Sequence, residues 1–300
     1  MSISKYSSLW HRRLGHYYNK NLDKYLELHD IKIPECMDCK IVKMKRLPHN
    51  KEPPTAKDIL ETIHSDIMGP VRESITGKRF ILSMIDEKSR KGWLFTLKKK
   101  SEAPDIIINF LKYLNNRSNK FKIKNFKTDG ANEYKSKKVT EFCNQNGIFK
   151  SVSPPYNPEN NGVTERFNQT IVSSAKTLLY WSKLSQNFWY FAILYANYIY
   201  NKMPHSGIDN KIPDEIFSNE KSKINHIRVF GCICYYKDFT QHKGKFEPNA
   251  KKGIFLGFSL KSNSYIIMDY NDFSIHNVRE IECMEDTPAN ISLSNNQQVW

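Results

Sequence analysis

The chain has 300 residues, a formal net charge of +15, 39% hydrophobic and 13% aromatic content, which is enough apolar material for a sizeable core and too much for a disordered chain. No apolar run nears the roughly 18 residues needed to cross a bilayer, and the polar start from Met1 to Leu9 has no hydrophobic signal segment. The charge excess lies within residues 1–200, since residues 201–300 carry 12 basic and 12 acidic groups; a polyanion partner and a merely solvated basic surface both fit that distribution.

The first element is a His–Cys constellation. Four residues separate His11 from His16, two separate Cys36 from Cys39, and 19 lie between the pairs. Six cysteines in so long a chain are too sparse for a disulfide scaffold. Two His and two Cys at these spacings make a closed tetrahedral Zn²⁺ set; two surface histidines beside an inert thiol pair are the bland alternative. A helical pattern over Leu22 to Leu28 would pack over the metal, and so small a module needs such a staple. Lys40, Lys43, Lys45 and Arg46 then either meet phosphates or form a solvated charge run. Lys51-Glu52-Pro53-Pro54 reads as a linker.

From residue 58 strand-like and helix-like patterns alternate. Thr62 to Met68 reads as a half-buried strand, with Ile63, Ser65 and Ile67 on one face and His64, Asp66 and Met68 on the other. Arg79 to Ile85 and Trp93 to Leu97 follow as antiparallel neighbours. A helix over Asp105 to Leu114, a strand over Lys122 to Thr128, a helix over Val139 to Asn146 stopped by Gly147, and a strand over Ile148 to Val152 come next. Val163 to Leu179 is a helix with Val163, Phe167, Ile171 and Leu178 on its apolar stripe. This order predicts an RNase H-like α/β layer. Trp181, Phe188, Trp189, Phe191 and Tyr195 read as core aromatics. The runs Ile227 to Cys232 and Ala250 to Phe258 alternate like a small β-barrel, and Cys232-x-Cys234 is too tight for a second zinc. The Ser- and Asn-rich end frays from about residue 286.

Three carboxylates stand out. Asp66 lies within the first strand, Asp129 ends the fourth, and Glu165 opens the last long helix, with 35 residues between it and Asp129. If the first and fourth strands are neighbours, both aspartates meet and the helix start brings in Glu165. Carboxylates suit hard cations such as Mg²⁺ or Mn²⁺, and two ions about 3.5–4 Å apart suit phosphoryl transfer. Singly, each carboxylate is as well read as a surface group, and Glu165 as a partner of the helix dipole. The turn-rich lead from Asn157 to Gly162 has the character of a loop that closes on a substrate.

Tyr156-Asn157-Pro158-Glu159-Asn160-Asn161-Gly162-Val163-Thr164-Glu165-Arg166-Phe167-Asn168 resembles the last catalytic motif of copia-type retrotransposon integrases. His64-Ser65-Asp66-Ile67-Met68-Gly69-Pro70 is similar to their first motif, and Lys127-Thr128-Asp129-Gly130-Ala131-Asn132-Glu133-Tyr134 to their second. Ile85 to Lys91, Lys100-Ser101-Glu102 and the opening Leu9 to His16 also match, so the resemblance runs from about Leu9 to about Asp286. One departure is Gly130-Ala131-Asn132, where the family usually has Asn-Gly-Gly.

The resemblance implies a zinc module over residues 1–57, an RNase H-like integrase core over 58–205, a connector and SH3-like β domain over 206–285, and a polar tail over 286–300. It implies Asp66, Asp129 and Glu165 as catalytic, Mg²⁺- or Mn²⁺-binding residues, and His11, His16, Cys36 and Cys39 as ligands of one structural Zn²⁺. The implied partners are element cDNA ends, host target DNA and further copies of the chain, with no membrane. The implied place is the nucleus, with a cytoplasmic phase in virus-like particles. Asn161, Arg166, Asn168, Gln169 and Lys176 lie on or beside the Glu165 helix and are candidates for DNA contact, or are simply exposed. The expected reaction is divalent-metal-dependent 3′-end processing and strand transfer. The alternative is a non-catalytic DNA-binding remnant of a truncated polyprotein, because protease, reverse transcriptase and RNase H segments do not flank these residues.

Overall fold

A computed structural model describes residues 9–16, 36–43, 56–117, 122–129, 131, 133–152, 162–237, 246, 248–259 and 261–291. The expected linker at 51–54 and the helix over Leu22 to Leu28 fall outside these residues.

Five strands form the central sheet: β1 (Thr62–Met68), β2 (Phe80–Asp86), β3 (Gly92–Leu97), β4 (Asn125–Thr128) and β5 (Phe149–Val152). Their spatial order is β3-β2-β1-β4-β5. The first three pair antiparallel, while β4 and β5 run parallel to β1. This is the expected RNase H-like layer, and it makes the first and fourth strands neighbours. Their register sets Ser65 opposite Thr128, so each chain advances next to an aspartate.

Helices cover both faces. α1 (Met37–Lys43) belongs to the N-terminal module. α2 (Ala103–Arg117) and α3 (Lys137–Gln145) pack Ile107, Leu111, Val139 and Phe142 against Ile63, Leu82, Met84 and Phe126. Ser136 caps α3 by accepting from the Val139 N–H, and Gly147 beyond its end takes φ +66, a left-handed conformation open to glycine. On the opposite face lie α4 (Gly162–Ser182) and α5 (Trp189–Asn201), whose Phe167, Ile171, Phe191 and Ile199 meet Ile81, Ile85 and Leu94. β1 is therefore buried on both sides, with Ile63 and His64 each at most 2% exposed, and not half-buried as its alternation suggests. Parallel neighbours sandwiched by helices lose the polar face that the pattern rule assumes.

α6 (Pro213–Ser218) leads to a second five-stranded sheet. It contains β6 (Cys232–Lys237), β7 (Ala250–Ser259), β8 (Ser264–Asp269), β9 (Ile275–Val278) and β10 (Ile281–Pro288), ordered β10-β6-β7-β8-β9 with every pair antiparallel. Ile227 to Phe230, expected as strand, is not one. There the Tyr195 hydroxyl donates to the Arg228 carbonyl (2.6 Å), and the Glu285 carboxylate accepts from the Val229 N–H (2.9 Å). Side chains satisfy the backbone that a strand ladder would otherwise serve. The apolar core is continuous from Leu14 through α4 and α5 into Phe230, Ile254 and Phe255. The core aromatics expected at Phe188, Phe191 and Tyr195 are buried, and Trp181 and Trp189 pack against them.

Candidate active site and metal centre

Asp66 projects from β1 toward α4. Its Oδ1 accepts from the Ile67 N–H and its Oδ2 from Asn168 Nδ2, both at 2.8 Å. Burial pushes its carboxyl above the usual carboxylate range, and the negative charges of Asp129 and Glu165 push the same way. The two hydrogen bonds oppose that shift. Asp129 follows β4, and its Oδ1 accepts from the Ala131 N–H at 3.2 Å. Glu165 is exposed in the first turn of α4. The fold thus brings the three carboxylates into electrostatic contact. They are not drawn to ligand spacing: among the described residues only the His–Cys group gathers three or more such side chains that closely.

The loop after Asp129 is anchored from below. Tyr134 is fully buried, its hydroxyl shares a 2.8 Å hydrogen bond with Ser65 Oγ, and Lys150 Nζ donates to its carbonyl at 2.7 Å. Gly130 and Asn132, where the motif departs from the resembled family, lie outside the described residues.

A buried acidic bridge lies just behind the carboxylates. Glu87 Oε2 accepts from His64 Nε2 at 2.8 Å and from Lys127 Nζ at 3.1 Å. Each of the three lies in a segment that resembles the family, but nothing in the sequence joined them as a trio; the further signal was position, since His64 and Lys127 each precede an aspartate by two residues.

The DNA candidates separate by exposure. Arg166, Gln169 and Lys176 are exposed along α4, with Arg166 Nε donating to the Gly162 carbonyl at 2.9 Å. Asn161 lies outside the described residues. Asn168 corrects the expectation, being 6% exposed and turned inward to Asp66. Helical spacing placed it beside Glu165 but could not say that β1 passes beneath that position.

In the N-terminal module, His11 and His16 are buried, and Gly15 and His16 both take left-handed φ, +62 and +56. That turn folds His16 back toward α1. His11 Nε2 lies 3.2 Å from Cys39 Sγ, and His16 Nδ1 lies 3.3 Å from Cys36 Sγ and 3.6 Å from Cys39 Sγ. All four donor atoms fall within 4.8 Å of one another. Zinc bonds of about 2.3 Å to sulfur and about 2.0 Å to nitrogen, at a tetrahedral angle, set N and S about 3.5 Å apart. The donor set and its spacing therefore fit Zn²⁺.

The module is tied to the rest of the chain. Arg13 makes a bidentate ion pair with the buried Glu285 of β10, and Arg12 reaches Asp286 at 2.5 Å while lying over the Trp181 ring.

Residues 60–158 match the integrase core domain, and residues 232–297 match the retroviral polymerase SH3-like domain. The chain is 29% identical over 268 residues to the retrovirus-related Pol polyprotein from transposon TNT 1-94 of Nicotiana tabacum, covering 87% of this chain and 20% of that protein. It is 28% identical to the Pol polyproteins from transposons RE2 and RE1 of Arabidopsis thaliana, covering 97% and 93% of this chain and 20% and 19% of theirs. The chain spans about a fifth of the length of these curated relatives. Among solved structures, the catalytic core domain of BIV integrase is similar at 17% identity and a TM-score of 0.40, covering 53% of this chain and 94% of that one. Residues 60–158 are thus similar to an integrase core domain, on a sheet with the RNase H-like strand order, and residues 232–297 are similar to an SH3-like domain.

Proposed function

We propose that this chain, with its integrase core and SH3-like domains, is the integrase segment of a copia-type retrotransposon Pol polyprotein, and that it joins element cDNA ends to target DNA. The observation that carries the reading is the placement of Asp66, Asp129 and Glu165 at the meeting of β1, β4 and the start of α4, where the Asp66 carboxyl feels the charge of the other two. In this reading Asp66 and Asp129 would hold divalent cations facing the reacting phosphodiester from the sheet side, and Glu165 would complete their oxygen ligands from the helix. Divalent cations bound by these carboxylates would neutralise their mutual repulsion and polarise the phosphate. Water as nucleophile gives end processing, and a DNA 3′-hydroxyl gives strand transfer. Neither needs a covalent bond to the protein.

Asn168 holds Asp66 with one oxygen engaged and its position fixed. The exposed Arg166, Gln169 and Lys176 continue along the same helix and are proposed to meet DNA phosphates beside the reacting bond. Zn²⁺ on His11, His16, Cys36 and Cys39 would hold the N-terminal turn against α4 and β10. Action on host DNA puts the protein in the nucleus, and pairing two DNA ends calls for more than one copy of the chain.

The test is a strand-transfer assay with a pre-cut terminal oligonucleotide and Mg²⁺ or Mn²⁺. Joined product that disappears in Asp66→Asn supports the reading. Tight DNA binding without joining in the unmodified chain would favour a non-catalytic remnant.

A further inference from the structure

We propose that Glu87 is a positioning residue that clamps the strands carrying Asp66 and Asp129 to each other through His64 and Lys127; this rests on the integrase reading above. His64 of β1 and Lys127 of β4 are register partners. Each precedes one of the two aspartates by two residues, so each shares the face of its aspartate. Glu87 follows β2, with its N–H donating to the Thr62 carbonyl at 3.0 Å. From there one carboxylate oxygen takes His64 Nε2 at 2.8 Å and Lys127 Nζ at 3.1 Å. A single atom thereby links β4 to β1 beneath the reacting groups.

The burial is costly unless something is gained. Glu87 is 3% exposed and His64 2%, burial holds the His64 imidazole toward its neutral form, and burying a carboxylate with its partners adds little net stability over apolar replacements. What the pair supplies is register. β4 has only four residues, and a slip of one would turn Asp129 to the opposite face. Among the described residues His64 Nδ1 is buried without a hydrogen-bond partner, so Glu87 is the imidazole's hydrogen-bonded anchor there. With the clamp loosened, Asp129 shifts against Asp66, and displacement on the order of 1 Å costs about 10²-fold in rate.

The test compares Glu87→Gln, Lys127→Met and the double variant in the full chain. Three quantities are read: strand-transfer kcat and DNA KM, thermal midpoint, and calorimetric Mn²⁺ affinity without DNA, with Asp66→Asn as the reference for a lost site. The clamp predicts a kcat loss of at least about tenfold in Glu87→Gln, with DNA KM within about twofold. It predicts weaker Mn²⁺ binding, a rate loss that persists at temperatures well below each variant's lowered thermal midpoint, and a double variant no slower than Glu87→Gln alone. Lys127→Arg, which keeps the cation, should retain most of the rate. The clamp is overturned if losses in the single variants multiply in the double, or if rate follows thermal midpoint alone. An unmodified chain that joins DNA beside an equally active Glu87→Gln removes the clamp and leaves the integrase reading standing. An unmodified chain that never joins DNA, yet loses Mn²⁺ affinity on Glu87→Gln, removes the integrase reading and leaves the clamp. No Mn²⁺ binding and no joining removes both.

Discussion

Replacing Asn168 by Ala should move the ionisation of Asp66. Asn168 Nδ2 gives the only side-chain hydrogen bond to that carboxylate among the described residues, and the other bond comes from the Ile67 N–H. Hydrogen bonds to charged groups contribute about 1.5–3 kcal/mol. Because the bond favours the ionised form, its loss raises the Asp66 pKa further. The sign follows from linkage: the unfolded state is common to both proteins, so the added cost is present where the folded Asp66 is ionised and is lost as pH falls through its raised folded-state pKa. Asn168→Ala should therefore lose about 1.5–3 kcal/mol of stability at neutral pH, with the gap closing in acid. Carboxyl-¹³C NMR titration of the protein without divalent ions measures the pKa, and denaturant unfolding at pH 7 and pH 4 measures the gap. An Asp66 titration that is unchanged or shifted downward would refute the reasoning.

Three other outcomes follow from the same contacts. Gly231→Ala places a Cβ 2.2 Å from Ser182 Cβ at a backbone of φ +71, so it should cost roughly 2–4 kcal/mol; a thermal midpoint unchanged within experimental error would contradict the packing of the β domain on α4. Burial holds the His205 imidazole, which bonds the Tyr200 carbonyl, down to about 4. The unfolded chain then takes up that proton first, so stability present above about pH 6.5 drains away as pH falls toward 4, by about 2 kcal/mol between pH 7 and pH 5. His205→Gln should flatten that slope in denaturant titrations, and an equally steep slope would reject the assignment. Metal analysis should find one zinc per chain, lost in Cys39→Ser together with protection of the 9–16 backbone from hydrogen exchange; retention of zinc in that variant would exclude Cys39 as a ligand.

Much of the core was legible because local pattern and tertiary role agree there. Thr62–Met68 is extended, β-branched at its ends and followed by Gly69-Pro70, and it is a strand with the expected bounds. The Glu165 helix reads correctly but runs to Ser182, three residues past the stripe that announced it. The gathering of His11, His16, Cys36 and Cys39 was legible as spacing, since metal-ligand chemistry fixes which residue types appear. The pieces that escaped are set by contacts distant in sequence. Ile227 to Phe230 alternates like a strand, yet Tyr195 and Glu285 take its backbone bonds. Asn168 turns inward because β1 passes beneath it, 102 residues away in sequence. Glu87 joins His64 and Lys127 only after β2, β1 and β4 are laid side by side. Periodicity carries no information about which strand becomes whose neighbour.

The most direct test of the central claim is Glu165→Gln in the strand-transfer assay, because this exposed side chain can lose its charge with little effect on folding. The account predicts that joined product falls by at least about a hundredfold, while DNA binding and thermal midpoint hold. Joining at the rate of the unmodified chain would contradict the assignment of the three carboxylates as one site.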